Sequence, residues 1–121
     1  MADIQKQYGL FIDGDFVPAG DGATFAAHNP ANGEELALFA EATKEDVDKA
    51  VKAARAALPA WSKTSPVERQ NLLLKIADII DANADHLALM ETLDNGKPIR
   101  ETKAADVPLG SDHFRYFAGC L

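Results

Sequence analysis

From Leu10 to Glu41 short apolar runs are separated by stretches of Gly, Asp, Asn and Pro, and from Thr43 onward the apolar positions recur at helical spacing. Leu10-Phe11-Ile12 and Asp15-Phe16-Val17 flank Asp13-Gly14. A two-residue Asp-Gly turn between apolar runs predicts a tight hairpin, because both turn positions need a positive φ. Pro18 and Gly20-Asp21-Gly22 then release the chain into a loop. A second strand pair follows, Thr24 to His28 and Leu36 to Glu41, joined by Asn29-Pro30-Ala31-Asn32-Gly33-Glu34. Asn29-Pro30 opens this turn, and Asn32-Gly33 is expected to supply a positive-φ pair. Leu36, Leu38 and Ala40 make one apolar face, while Ala37 and Phe39 leave the other only partly polar. Such a strand is expected to be covered on more than one side. Residues 1–7 are polar and expected to be loose.

The helical part opens at Thr43, with Asp46 placed as its capping-box partner. Val47, Ala50, Val51, Ala54, Ala57 and Leu58 define its apolar stripe, Pro59 is expected to end or kink it, and Trp61 to anchor the connection by burial. Ser65-Pro66-Val67-Glu68 marks the next start, with an N-cap serine, a proline at the first helical position and a reciprocal glutamate. Leu72, Leu73, Ile76, Ala77, Ile79 and Ile80 follow on a broad apolar face. Asn83 restarts a helix that stops at Asn95-Gly96, since a glycine there takes the left-handed conformation and Pro98 forbids continuation. Ile99 to Asp106 reads as helix again, with a break near Pro108 and Gly110 and a last helix capped by Ser111 or Asp112. Phe114, Phe117 and Ala118 form its apolar face, and the pattern still runs at Leu121.

The elements therefore predict an α+β segment, antiparallel hairpins over 8–41 followed by about four helices over 43–121. Its 121 residues have the length of one domain, and 47% apolar content excludes wholesale disorder. With 19 acidic against 12 basic residues and a net charge of −7, a phosphate-tracking surface is disfavoured, and nucleic acid is not an expected partner. One cysteine, Cys120, leaves no internal disulfide and no cysteine-based metal knuckle. No basic, apolar leader opens the sequence, and no apolar run approaches the ~20 residues of a membrane span. The cytoplasm is the default expectation.

Candidate chemistry is sparse. Cys120 lacks a basic neighbour except His113 seven residues back, and is expected to serve as a small buried hydrophobe. Gly20-x-Gly22 lacks the third glycine of a dinucleotide fingerprint and joins strands, where that fingerprint needs a strand-to-helix turn. Gly96-Lys97-Pro98 lacks the rest of a phosphate loop. Asp13 and Asp15 begin like a calcium loop, but Val17 stands where an oxygen ligand is needed and Thr24 where the loop needs a glutamate. His28, His86 and His113 have no ligand spacing around them. No catalytic or cofactor-binding residue is assigned.

Four stretches carry a resemblance. Glu91-Thr-Leu-Asp-Asn-Gly-Lys-Pro98 and Arg115-Tyr-Phe-Ala-Gly119, with Asn29-Pro-x-x-Gly-Glu34 upstream, are similar to landmarks of the aldehyde dehydrogenase superfamily. Asp46-Val-Asp-Lys-Ala-Val-Lys-Ala-Ala-Arg55 resembles that family's first long helix. The resemblance runs from Phe11 onward and is closest to bacterial enzymes acting on acetaldehyde and other short aliphatic aldehydes. It implies an α/β family fold of which this segment lacks the nucleotide-binding parallel sheet. It further implies a piece, 1–121, of the cofactor-binding domain of a longer NAD- or NADP-dependent enzyme that works as a homo-oligomer. That enzyme would oxidise aldehydes through a cysteine thiohemiacetal and thioester, with its catalytic groups downstream. Some family members hold a structural monovalent cation at a position matching Asp106, with carbonyls around Ala27 and His28; otherwise Asp106 caps or solvates a helix end. The competing reading is a standalone helical module that docks on a partner protein.

Overall fold

The computed structural model describes residues 4–120, in two compact units, Asp3–Lys63 and Thr64–Leu121. In the first, β1 (Gln7–Tyr8), β5 (Glu35–Ala40) and β4 (Thr24–His28) form a three-stranded sheet in the order β1-β5-β4, and β2 (Leu10–Ile12) and β3 (Asp15–Val17) form a separate ribbon. The ribbon turns at Asp13 and Gly14, whose φ angles of 55° and 91° are the pair that a two-residue turn demands. Gly9, between β1 and β2, is required by space: a Cβ there would lie 2.7 Å from the Val17 carbonyl oxygen. Helix α1 (Lys44–Trp61) completes the unit.

Three sequence expectations change here. Of the segment expected to be loose, residues 1–3 lie outside the described residues. Gln7, however, belongs to β1, which runs parallel to β5, with Tyr8 stacked on Phe39 at 4.9 Å between ring centroids. Polar composition hid a strand that is held by main-chain pairing and one ring contact. In the β4–β5 turn only Gly33 has a positive φ, 75°; Asn32 does not. The Asn32 and Gly33 amides both donate to the Asn29 carbonyl, so this longer turn needs one left-handed residue instead of two. A register shift at Ala27/His28 leaves Leu36 as the extra residue on β5, and Ala37 becomes its buried position. Finally, α1 runs through Pro59 to Trp61, and Trp61 is 47% exposed, not buried.

The second unit is helical: α2 (Pro66–Ala82), α3 (Ala84–Asn95), α4 (Ile99–Glu101), a π-helical turn (Thr102–Asp106) and α5 (Val107–Ala118). Both predicted capping boxes are present, Thr43 with Asp46 and Ser65 with Glu68. Ser65→Ala is expected to lower stability by about 1 kcal/mol, read as a shift of the urea midpoint with unchanged slope. Asn83 separates α2 from α3, its side-chain amide donating to the Ile79 carbonyl, and Gly96 closes α3 at φ 77°.

The break expected at Pro108 and Gly110 is absent, and Ser111 is not a cap. Proline removes an N–H and crowds the carbonyl four residues back. The chain answers by widening one turn, the Val107 amide donating to the Thr102 carbonyl, so that helix continues through Pro108 and Gly110. Ser111 consequently sits inside α5, buried, with its hydroxyl donating to the Ala77 carbonyl of α2.

Small side chains make the helix contacts. Ala77 of α2 faces a contact with α5 whose buried residues include Ser111 and Ala118, and Ala88 of α3 packs toward Thr102 of the π turn. Several large apolar side chains point the other way: Leu72, Ile76, Ile79, Leu109 and Phe117 are all exposed. α2 thus carries one apolar stripe, Leu73-Ala77-Ile80, toward the unit and a second, Leu72-Ile76-Ile79, toward nothing in it.

Candidate functional site

The cation candidates fall in different units, and each already has a partner within its own unit. Ala27 and His28 end β4 at the register shift, paired with Ala37 and Glu35. Asp106 ends the π turn, and its Oδ2 stands 2.5 Å from the Lys97 ammonium. That oxygen is shielded from solvent and has no aligned hydrogen bond, so the contact is an ion pair. Asp106 in turn raises the Lys97 pKa above its ordinary value. The carboxylate expected to take a monovalent cation therefore already faces a built-in one, and any ion there competes with Lys97. Among the described residues no group of three or more His, Cys, Asp and Glu side chains is placed to hold a metal.

The Gly20-Asp21-Gly22 loop does gather around an anion, but an internal one. Gly20 N–H donates to Asp46 Oδ2 at 2.8 Å, and the Thr43 amide and hydroxyl donate to the same oxygen at 3.1 and 2.9 Å. Lys49 Nζ approaches Oδ1 at 3.4 Å. Donation first from Gly20 and then from Thr43 holds the Asp46 carboxyl far below the usual range, although its burial opposes this. A phosphate at this loop would meet a buried carboxylate occupying the donors, so the residues do not fit a dinucleotide cradle. The link from Asp46 to Gly20 escaped sequence reasoning, since nothing local marks a contact across 26 positions.

A second polar cluster joins α2 and α5. Arg115 Nη2 donates to Asp78 Oδ1 at 2.9 Å and to Asp81 Oδ2 at 2.6 Å, and its Nη1 donates to Ser111 Oγ. Ser111, then Arg115, hold the Asp81 carboxyl below its ordinary value. That Arg115 of α5 would reach two aspartates three apart on α2 was not legible in the sequence. A third cluster is neutral: the buried Thr102 hydroxyl meets the Ala88 and Ile99 carbonyls and the Thr92 hydroxyl, all at 3.1 Å. These groups satisfy one another. None presents a free nucleophile or base to a cleft.

Cys120 is exposed, not buried as expected, with its thiol donating to the Tyr116 carbonyl at 3.5 Å. It lies just past the buried Ala118, beyond the part of α5 that packs. Two grooves among the described residues are mainly apolar, one of about 320 Å³ between the β2–β3 ribbon and the alanine face of α1, and one of about 200 Å³ lined by Leu73, His113, Phe114 and Phe117.

A sequence profile described as the aldehyde dehydrogenase family matches residues 16–121. An acetaldehyde dehydrogenase of Pseudomonas aeruginosa is 55% identical over 118 residues, covering 98% of this chain and 23% of that protein. A long-chain-aldehyde dehydrogenase of an Acinetobacter species is 50% identical over 118 residues, with 98% and 24% covered. The structure of an aldehyde dehydrogenase from Bacillus cereus in complex with NAD+ superposes with a TM-score of 0.92 at 41% identity, covering 96% of this chain and 24% of that one. The chain spans about a quarter of the length of the curated relatives it matches. With the profile covering most of its residues, the chain belongs to the aldehyde dehydrogenase family.

Proposed function

We propose that this chain is the N-terminal supporting part of the cofactor-binding domain of an enzyme that oxidises aldehydes to carboxylic acids with NAD or NADP. The observation that carries this reading is the placement of apolar side chains. Alanine, serine and threonine fill the helix contacts, while Leu72, Ile76, Ile79, Leu109 and Phe117 lie exposed. A helix apolar on two sides is a helix meant to be covered on two sides. The remainder of a chain about four times as long is the covering that the family relationship supplies.

In that enzyme a cysteine outside this segment would attack the aldehyde carbon, giving a thiohemiacetal and then a thioester that water hydrolyses. The nicotinamide would accept the hydride. Residues of this segment position the domain and take no part in those steps. We place the enzyme in the cytoplasm as a homo-oligomer, acting on acetaldehyde or other short aliphatic aldehydes. Relatives at 55% and 50% identity are named for acetaldehyde and for long-chain aldehydes, so the residues that both share with this chain do not by themselves select chain length. A monovalent cation at Asp106 enters the proposal only in competition with Lys97.

The isolated 121-residue chain is expected to show no cysteine-dependent turnover of acetaldehyde with NAD, measured as reduced nicotinamide absorbance with and without thiol blocking. Robust activity lost on blocking Cys120 would sink the supporting role. Sedimentation of the same sample is expected to show concentration-dependent association. A monodisperse, thermally stable monomer would instead favour a standalone docking module.

A further inference from the structure

Two Asn-Gly pairs punctuate the chain, and their surroundings differ in a way that the supporting role does not use. Asn32-Gly33 forms the exposed tip between β4 and β5, and Asn95-Gly96 closes α3. At both, the side-chain carbonyl accepts the amide two residues on: Glu34 N at 3.0 Å and Lys97 N at 2.8 Å. Such a donor polarises the carboxamide carbon and would stabilise an oxyanion formed on it. At both, the following residue is glycine, whose amide nitrogen is sterically open.

We propose that Asn32 is a site of spontaneous deamidation in this protein, converting well ahead of Asn95. The Gly33 amide nitrogen forms a bond to Asn32 Cγ, and the Cγ–Nδ2 bond breaks. Nδ2 leaves as ammonia with the proton that Gly33 gives up. The resulting succinimide adds water at either carbonyl and opens to an aspartate or an isoaspartate at position 32. No oxidant or enzyme is needed; water is the sole co-reactant.

Ring closure requires the glycine amide to be released from its native bond. Gly33 N–H donates to the Asn29 carbonyl within a short surface turn, which opens by local fluctuation at low cost. Gly96 N–H donates to Thr92 at the end of a twelve-residue helix, whose ladder also fixes the Asn95 backbone. Asn29 is an internal control. Its side-chain oxygen accepts Ala31 N at 2.9 Å in the same manner, but Pro30 follows and has no amide proton to lose. Conversion at 32 also has a structural consequence. Asn32 Nδ2 donates to Glu34 Oε2 at 2.8 Å, and an acid in its place sets two carboxylates against each other in the turn.

The chain is incubated at mildly alkaline pH, natively and in denaturant, and sampled over time by peptide mapping with mass spectrometry. In denaturant the two Asn-Gly peptides are expected to convert at similar rates and Asn29 not at all. In the native chain, conversion at Asn32 is expected to stay severalfold faster than at Asn95. Native conversion of Asn95 at an equal or greater rate overturns the proposal, as does full native protection of Asn32 when the denatured control converts.

Discussion

Ala77→Leu is expected to lower the thermal midpoint of the monomeric chain by roughly 4–12 °C, from about 1–3 kcal/mol of overpacking at about 4 °C per kcal/mol. Ala77 is 0% exposed, and its carbonyl receives the Ser111 hydroxyl, so α2 and α5 approach too closely there for a larger side chain. A leucine must push the helices apart or take an unfavourable rotamer. The companion change, Ile79→Ala, removes a far larger side chain at 53% exposure and is expected to cost under about 1 kcal/mol, because little of it leaves water on folding. The ordinary order of sensitivity, large apolar residues first, is thereby inverted. Circular dichroism melts at concentrations where sedimentation shows monomer provide the comparison. A tolerated Ala77→Leu beside a damaging Ile79→Ala would refute the placement of the core.

Substitutions on the exposed stripe are expected to report on association more than on folding. That is why local signals and packing were unequally legible in the sequence. The caps at Thr43 and Ser65, the Asp13-Gly14 turn and the stop at Gly96 rest on bonds between residues two to four apart, so spacing alone disclosed them. Pro108 misled for a physical reason: a lost N–H ends a helix only if the turn before it cannot widen, and here it widens. β1 was hidden because Gln7 and Tyr8 are held by main-chain pairing to β5, far along the chain. Burial was least legible. Hydrophobicity marked Trp61 and Cys120 for the interior, but composition cannot say which of two apolar faces of a helix its own unit covers. At the candidate sites the residue types were visible and their partners were not. Lys97, Asp106, Arg115 and Asp46 each owe their environment to a residue at least nine positions away.

Asp46→Ala is expected to loosen the first unit more than the loss of its capping box alone. The buried carboxylate ties the N-terminus of α1 to the loop after β3, accepting from Gly20 N–H and from both donors of Thr43. Alanine strands the two backbone amides and leaves the cap without its reciprocal acceptor. Asp46→Asn separates geometry from charge. Its oxygen can keep the Gly20 and Thr43 donors at the Oδ2 position while the amide faces Lys49, so the fold is retained with a smaller loss. The pH dependence follows from the sign of the shift. The folded-state carboxyl lies below its ordinary value of 3.8, so its stabilisation is complete above that pH and is lost progressively as the pH falls beneath it. The gap in thermal midpoint between the natural chain and Asp46→Asn should therefore hold its full width from neutrality down toward pH 3.8 and narrow progressively as the pH falls further. Taking the difference cancels the similar acid sensitivity of Glu68 and Asp81, whose carboxyls are also held low. A gap that stays constant to the most acidic pH at which both chains fold would show that charge at Asp46 contributes nothing. The loop from Ala19 to Gly22 would then owe its position to packing and to hydrogen bonds that a neutral side chain supplies equally well.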